Sequence, residues 1–142
     1  MKLANPLSTF RGDYRYVSKR IDVACLSTDA IGDPVCIRGD RVNGKWRVEA
    51  ANPQDGDKMP AIGVLVDKST PTVGVVQLFG PVEDVFIGMT PGAYYFVGTS
   101  GVADVAPSAG PLGYVDVQHI GFAVAEDILL LTGDLMLIRE RG

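Results

Sequence analysis

Apolar residues along this chain come in short runs, each closed by glycine, proline or a polar turn. Ile21-Asp22-Val23-Ala24-Cys25 alternates apolar and polar positions and ends in a turn-prone stretch, residues 27–34. Pro34-Val35-Cys36-Ile37-Arg38 is another short run, stopped by Gly39-Asp40. The Asn43-Gly44 pair is a strong hairpin signal. After it Trp46 and Val48 face one way and Lys45, Arg47 and Glu49 the other, as in a half-buried strand. Residues 61–66 form a near-continuous apolar run of strand length. Residues 73–79 form the next, closed by Gly80-Pro81. Residues 82–87 are the best helix candidate, and they span no more than about two turns.

Further on, Thr90-Pro91-Gly92 carries the type II turn pattern, with proline setting φ at the second position and glycine taking positive φ at the third. It feeds the aromatic strand Tyr94-Tyr95-Phe96-Val97. Residues 99–112 read as a long exposed connection. Residues 114–124 read as one strand, followed by Ile128-Leu129-Leu130-Leu131 and Leu135-Met136-Leu137-Ile138. Ala61-Ile62-Gly63-Val64 and His119-Ile120-Gly121-Phe122-Ala123-Val124 echo each other, although no repeat of fixed period is present. About eight to eleven short strands at this spacing predict an all-β fold, a β-sandwich or jelly-roll-like or barrel body, with an extended N-terminal arm.

The chain's 142 residues, 46% hydrophobic and 21% charged, suit one globular domain, and 17 glycines and nine prolines suit many short strands rather than a helical bundle. No run reaches the roughly 18 apolar residues of a membrane span, and no signal-peptide pattern follows Met1. The sequence therefore reads as a soluble chain made in a cytoplasm. Net charge is −4, unevenly spread: Lys2, Arg11, Arg15, Lys19 and Arg20 against Asp13 give residues 1–20 a charge of +4, leaving −8 on the rest. This divides the chain into a basic, aromatic arm, residues 1–20, and a single β-domain, residues 21–142. Basic and aromatic residues interleave in the arm, Phe10, Arg11, Tyr14, Arg15, Tyr16, Lys19 and Arg20; tyrosine and arginine are types that anchor interfaces, and the arm is either a frayed terminus or a segment that orders on a neighbour.

Candidate chemistry is sparse. A hydrolase needs a nucleophile, a base and donors for developing charge. The sole histidine, His119, shares a strand face with Val115 and Val117 and reads as a partly buried strand residue. Glu83-Asp84 and Glu126-Asp127 are adjacent pairs that point apart on a strand. Asp55-Gly56-Asp57 supplies fragments of a calcium loop, short of the about six to eight oxygens such an ion takes. Cys25 and Cys36 match neither a zinc site nor a disulfide framework and read as reduced core residues; a hairpin between their segments would instead set the thiols opposite each other and permit a disulfide. Arg11-Gly12-Asp13 and Arg38-Gly39-Asp40 read as polar turns before adhesion motifs. No glycine-rich phosphate loop is present, and the acidic body disfavours nucleic acid. Catalytic residues, metal ligands and cofactors are accordingly not assigned.

The succession Pro60-Ala61-Ile62-Gly63-Val64, a valine-rich strand reaching Phe79-Gly80-Pro81-Val82, Gly88-Met89-Thr90-Pro91-Gly92-Ala93-Tyr94-Tyr95-Phe96-Val97-Gly98, a loop with Pro107, and Val117-Gln118-His119-Ile120-Gly121-Phe122-Ala123 resembles small β-rich virion proteins of tailed bacteriophages, among them head decoration, or cement, proteins. The resemblance covers residues 58–131 and, more loosely, 24–51. It implies a compact body, commonly a homotrimer, made in the host bacterium's cytoplasm and seated on the capsid exterior, where its partner is the major capsid protein and an N-terminal arm reaches a neighbour. Tyr95, in the aromatic strand, joins the arm residues as an expected interface residue. A tail, baseplate or fibre-attachment module is the alternative, and a small trimeric β-fold nucleotide hydrolase using His119 is the enzymatic one.

Overall fold

The computed structural model describes residues 18–141. The chain is all-β, as the alternation predicts, with eleven strands, one short 3₁₀ turn at Gly56–Lys58 and no α-helix among the described residues. The strands are β1 (Lys19–Ala24), β2 (Pro34–Ile37), β3 (Trp46–Ala50), β4 (Gly63–Thr70), β5 (Val73–Glu83), β6 (Tyr94–Val97), β7 (Val102–Ala103), β8 (Tyr114–Val117), β9 (His119–Ala125), β10 (Ile128–Leu131) and β11 (Ile138–Arg141). The first five close on themselves in the order β1-β3-β2-β4-β5, with β5 returning to β1, so the barrel is the form realised. All its pairings are antiparallel except β1 with β3.

The barrel continues into a second layer through β5. This strand runs through Gly80-Pro81 instead of ending there, and it takes residues 82 and 83 from the segment expected to be the best helix candidate. Residues 73–79 pair with β1 and residues 80–83 with β10, which continues through β9 and β6 to β7. Gly80, at φ 93°, turns the strand at the handover, a conformation open to glycine at little steric cost. The fully buried Gln77 side chain braces the bend: its amide donates to the carbonyls of Phe79 at 3.2 Å and Pro81 at 2.8 Å, and its oxygen accepts from Arg20 Nε at 2.9 Å.

Two cores result. Val23, Cys25, Val35, Val48, Leu65 and Val76 fill the barrel. Between barrel wall and second layer lies a larger cluster that includes Val64, Val66, Val82, Tyr95, Ile120 and Leu129. Leu65 faces the first core while Val64 and Val66 face the second, which explains the unbroken apolar run: a strand buried on both faces has no polar side to show.

Several local expectations are corrected. Lys19 and Arg20 belong to β1, opposite Phe79 and Gln77, so the body begins before residue 21. The single strand expected over residues 114–124 is two, β8 and β9, broken at Gln118. Buried Gln118 holds the break: its oxygen accepts from the Ala61 N–H at 2.9 Å, and its amide donates to the carbonyls of Ala61 at 2.9 Å and Asp134 at 3.0 Å. The last strand is Ile138–Arg141, beyond most of the expected apolar segment. It pairs with β8, where Arg139 clasps the buried Asp116 carboxylate through Nε at 2.7 Å and Nη2 at 3.0 Å and stacks over the Tyr114 ring at 4.3 Å. The two cysteine segments are not neighbours either, because β3 lies between β1 and β2; both thiols are free and buried, in different cores.

Burial pushes the Cys36 thiol up to about 11, with the Glu49 carboxylate adding in the same direction. Because the native state holds the neutral thiol while the unfolded chain ionises near its ordinary value, this group's contribution is complete below about pH 8.5 and is lost as pH rises to about 11. In urea melts from pH 8 to 11, the native protein should lose stability more steeply than a Cys36→Ala variant, whatever that variant's baseline. Parallel pH slopes would show that the thiol does not contribute.

Candidate functional site

Two surfaces expose apolar side chains together. The first is the outer face of the second layer. Cross-strand register sets Tyr94 opposite Phe122, Phe122 opposite Leu130 and Leu130 opposite Pro81, a row crossing β6, β9, β10 and β5. Partners directly across a ladder share a face, so these four project to the same side. The Tyr94 and Phe122 rings meet edge to face with centroids 6.1 Å apart. His119 lies over Phe96 at 4.5 Å and beside Tyr94 at 5.7 Å.

The turn before β6 fixes this face. Ala93 N–H donates to the Thr90 carbonyl at 3.0 Å and Gly92 has φ 86°, completing the expected type II turn. Tyr95 points inward, 7% exposed, and its hydroxyl accepts from the Thr90 N–H at 2.9 Å. This corrects the choice of Tyr95 as an interface residue: it locks turn to core, and Tyr94, 63% exposed, presents its ring to the outside. Alternation predicted that the rings divide between two faces but not which face is inner, because that depends on the layer packed behind the strand. His119 is corrected likewise. The break at Gln118 frees it from the face of Val115 and Val117, and it is exposed among the aromatic rings.

The second surface is a cleft of about 630 Å³ opening onto the barrel core. Ile62 and Leu78, packed against that core, line it together with Ile37, Trp46, Phe79 and Leu135, which are 40–51% exposed. Trp46 is there because the Asn43-Gly44 hairpin closes as expected, with Val42 and Lys45 exchanging two 2.9 Å hydrogen bonds and positive φ at both central residues. Trp46 and Val48 share a strand face, but only Val48 reaches the core; the barrel ends before it covers the indole. Contiguous exposed apolar side chains of this kind mark contact surfaces in soluble proteins.

Of the other expected interface residues, Lys19 and Arg20 are strand residues. Phe10, Arg11, Tyr14, Arg15 and Tyr16 lie outside the described residues. Gly56 and Asp57 open the 3₁₀ turn and Asp55 caps it, its carboxylate accepting from the Asp57 N–H at 3.1 Å. Among the described residues no three His, Cys, Asp or Glu side chains group as metal ligands, and no helix is long and apolar enough to cross a membrane.

The fold and these surfaces define a class no narrower than an all-β protein built on a five-stranded barrel with an apolar outer layer. Comparison with family models, curated proteins and solved structures finds no match.

Proposed function

We propose that this chain is a structural protein acting by surface contact, specifically a head decoration protein of a tailed bacteriophage that binds the capsid exterior as a homotrimer and bridges neighbouring capsid subunits. The observation that carries this reading is the row Tyr94, Phe122, Leu130 and Pro81 across the outer sheet face. An apolar sheet face gains stability when another protein surface covers it. The resemblance of residues 58–131 to small β-rich virion proteins of tailed phages, cement proteins among them, suggests the kind of partner. Trimerisation would join three weak contacts into one avid attachment, and the basic, aromatic arm would order on the shell as it docks.

The test is the copy number of this chain in purified particles relative to the major capsid protein, together with its solution mass. Near-stoichiometric copies and a mass of three chains are expected. Tyr94→Asp should reduce particle binding by about a hundredfold, since each trimer loses all three contacts at once. A variant lacking residues 1–17, which spares β1, should stay folded but no longer protect particles against heat. A handful of copies per particle would move the chain to the tail, and absence from particles would remove the reading.

A further inference from the structure

A groove of about 670 Å³, separate from the aromatic face, runs between the end of β1, the Asn43-Gly44 hairpin and the β4–β5 turn. Among the described residues its charged lining is cationic: Arg38, Lys45 and Arg47, with no carboxylate. The three cations are half-buried. The Arg38 N–H donates to the Arg47 carbonyl at 2.7 Å, so the two guanidinium residues stand directly across from each other, Arg38 just past the end of β2 and Arg47 in β3. Like charges in that position repel. Arg38 Nε is shut off from solvent and has no hydrogen-bond partner among the described residues, a state that costs free energy for a charged donor. In a chain with net charge −4, carboxylates were available to relieve this pair, yet among the described residues the groove lining has none; Asp40 lines the neighbouring cleft with Arg47 instead.

We propose that this groove is a binding site for the carboxylates of an acidic segment of a partner protein. Guanidinium groups bind carboxylate oxygens as paired donors, and a carboxylate between Arg38 and Arg47 would turn their repulsion into two charge-assisted contacts through the terminal guanidinium nitrogens. Leu26, Val42 and Val73 provide apolar wall for aliphatic side-chain stems, and the Ser27 and Thr72 hydroxyls extend the polar side. A peptide fits better than a polyphosphate. Three cations neutralise a short acidic stretch, the groove has no aromatic ring among the described residues on which a base could stack, and the surrounding body is acidic.

The test uses the isolated full chain and so does not depend on the proposed function. A fluorescent hexaglutamate peptide is titrated at low salt, with hexaglutamine, inorganic phosphate and a single-stranded oligonucleotide as comparisons, while the Arg38 Nε–H resonance is followed by NMR. Hexaglutamate should bind and shift that resonance, and hexaglutamine should not. Arg38→Gln and, independently, Lys45→Gln should weaken binding by tenfold or more. Arg38→Gln should melt at the same or a higher temperature, because it removes a repulsion. Binding unchanged in both variants, an unmoved Arg38 resonance, or tighter binding of the oligonucleotide or phosphate than of hexaglutamate would each overturn the proposal.

Discussion

Gly121→Ala should destabilise the protein by about 3 kcal/mol, at the upper end of the usual cost of overpacking, and lower its melting temperature by on the order of 10 °C. A Cβ at Gly121 would fall on the carbonyl oxygen of Leu130, 2.9 Å from its carbon and 3.2 Å from Leu131 Cα. Every neighbour is backbone, so relief requires β9 and β10 to separate and give up ladder hydrogen bonds. Gly63→Ala should behave alike, since its Cβ would meet the Gln77 carbonyl in β5. The resemblance between residues 61–64 and 119–124 thus has a shared physical cause: in both, the glycine lies where a neighbouring strand's carbonyl passes too close for any side chain. Gly88→Ala provides the contrast. Its Cβ would meet nothing within 4 Å, and the penalty is the positive φ alone, about 1–2 kcal/mol. Thermal and urea melts of the three variants check this ordering. A Gly121→Ala variant as stable as the parent would mean that the sheet can spread without cost. Gly121 also adjoins Phe122 in the aromatic row, so the same change should disturb that face.

Gln118→Leu should cost about 2–4 kcal/mol, because it leaves the Ala61 N–H and carbonyl and the Asp134 carbonyl without the three hydrogen bonds they now have. Gln118→Glu separates donor loss from packing loss. It keeps the acceptor for the Ala61 N–H but aims an anion at two carbonyls, so it should be at least as destabilising at pH 7. Lowering the pH should restore part of the loss, since the protonated carboxyl can donate once. The buried site raises the folded-state pKa of the introduced carboxyl, so its stability contribution is present at low pH and is lost as pH rises through that value. Urea melts of both variants at pH 4.5 and 7 measure this. Equal stability of the Glu variant at the two pH values would remove the carbonyl-facing geometry as the cause. Asp134 lies next to Leu135 in the apolar cleft, so loosening of the cleft wall should accompany either change and appear as a red shift of Trp46 fluorescence.

Part of the candidate surface was legible in the sequence. The Thr90-Pro91-Gly92 turn and its aromatic strand, the Asn43-Gly44 hairpin that delivers Trp46, and the division of aromatic rings between two faces follow from local rules. The choice of Tyr94 over Tyr95 does not, because alternation gives two faces and only the packed layer says which is inner. The cationic groove was equally hidden. Arg38, Lys45 and Arg47 read singly as turn and outer-face residues, and only strand pairing sets two of them opposite each other. The Asp116–Arg139 pair joins positions far apart in the chain, and neither residue has a local pattern announcing it.

By itself, then, the sequence determined the fold class, most strand positions and the tight turns, because these depend on side-chain period and on the backbone freedom of glycine, asparagine and proline, which act over a few residues. Long-range packing settled that β5 continues through Gly80 to join two layers, that Gln77 and Gln118 are structural braces rather than surface amides, and which ring meets the outside. Those outcomes depend on what lies behind each strand and which carbonyls are left needing a donor, quantities that exist once distant segments have come together.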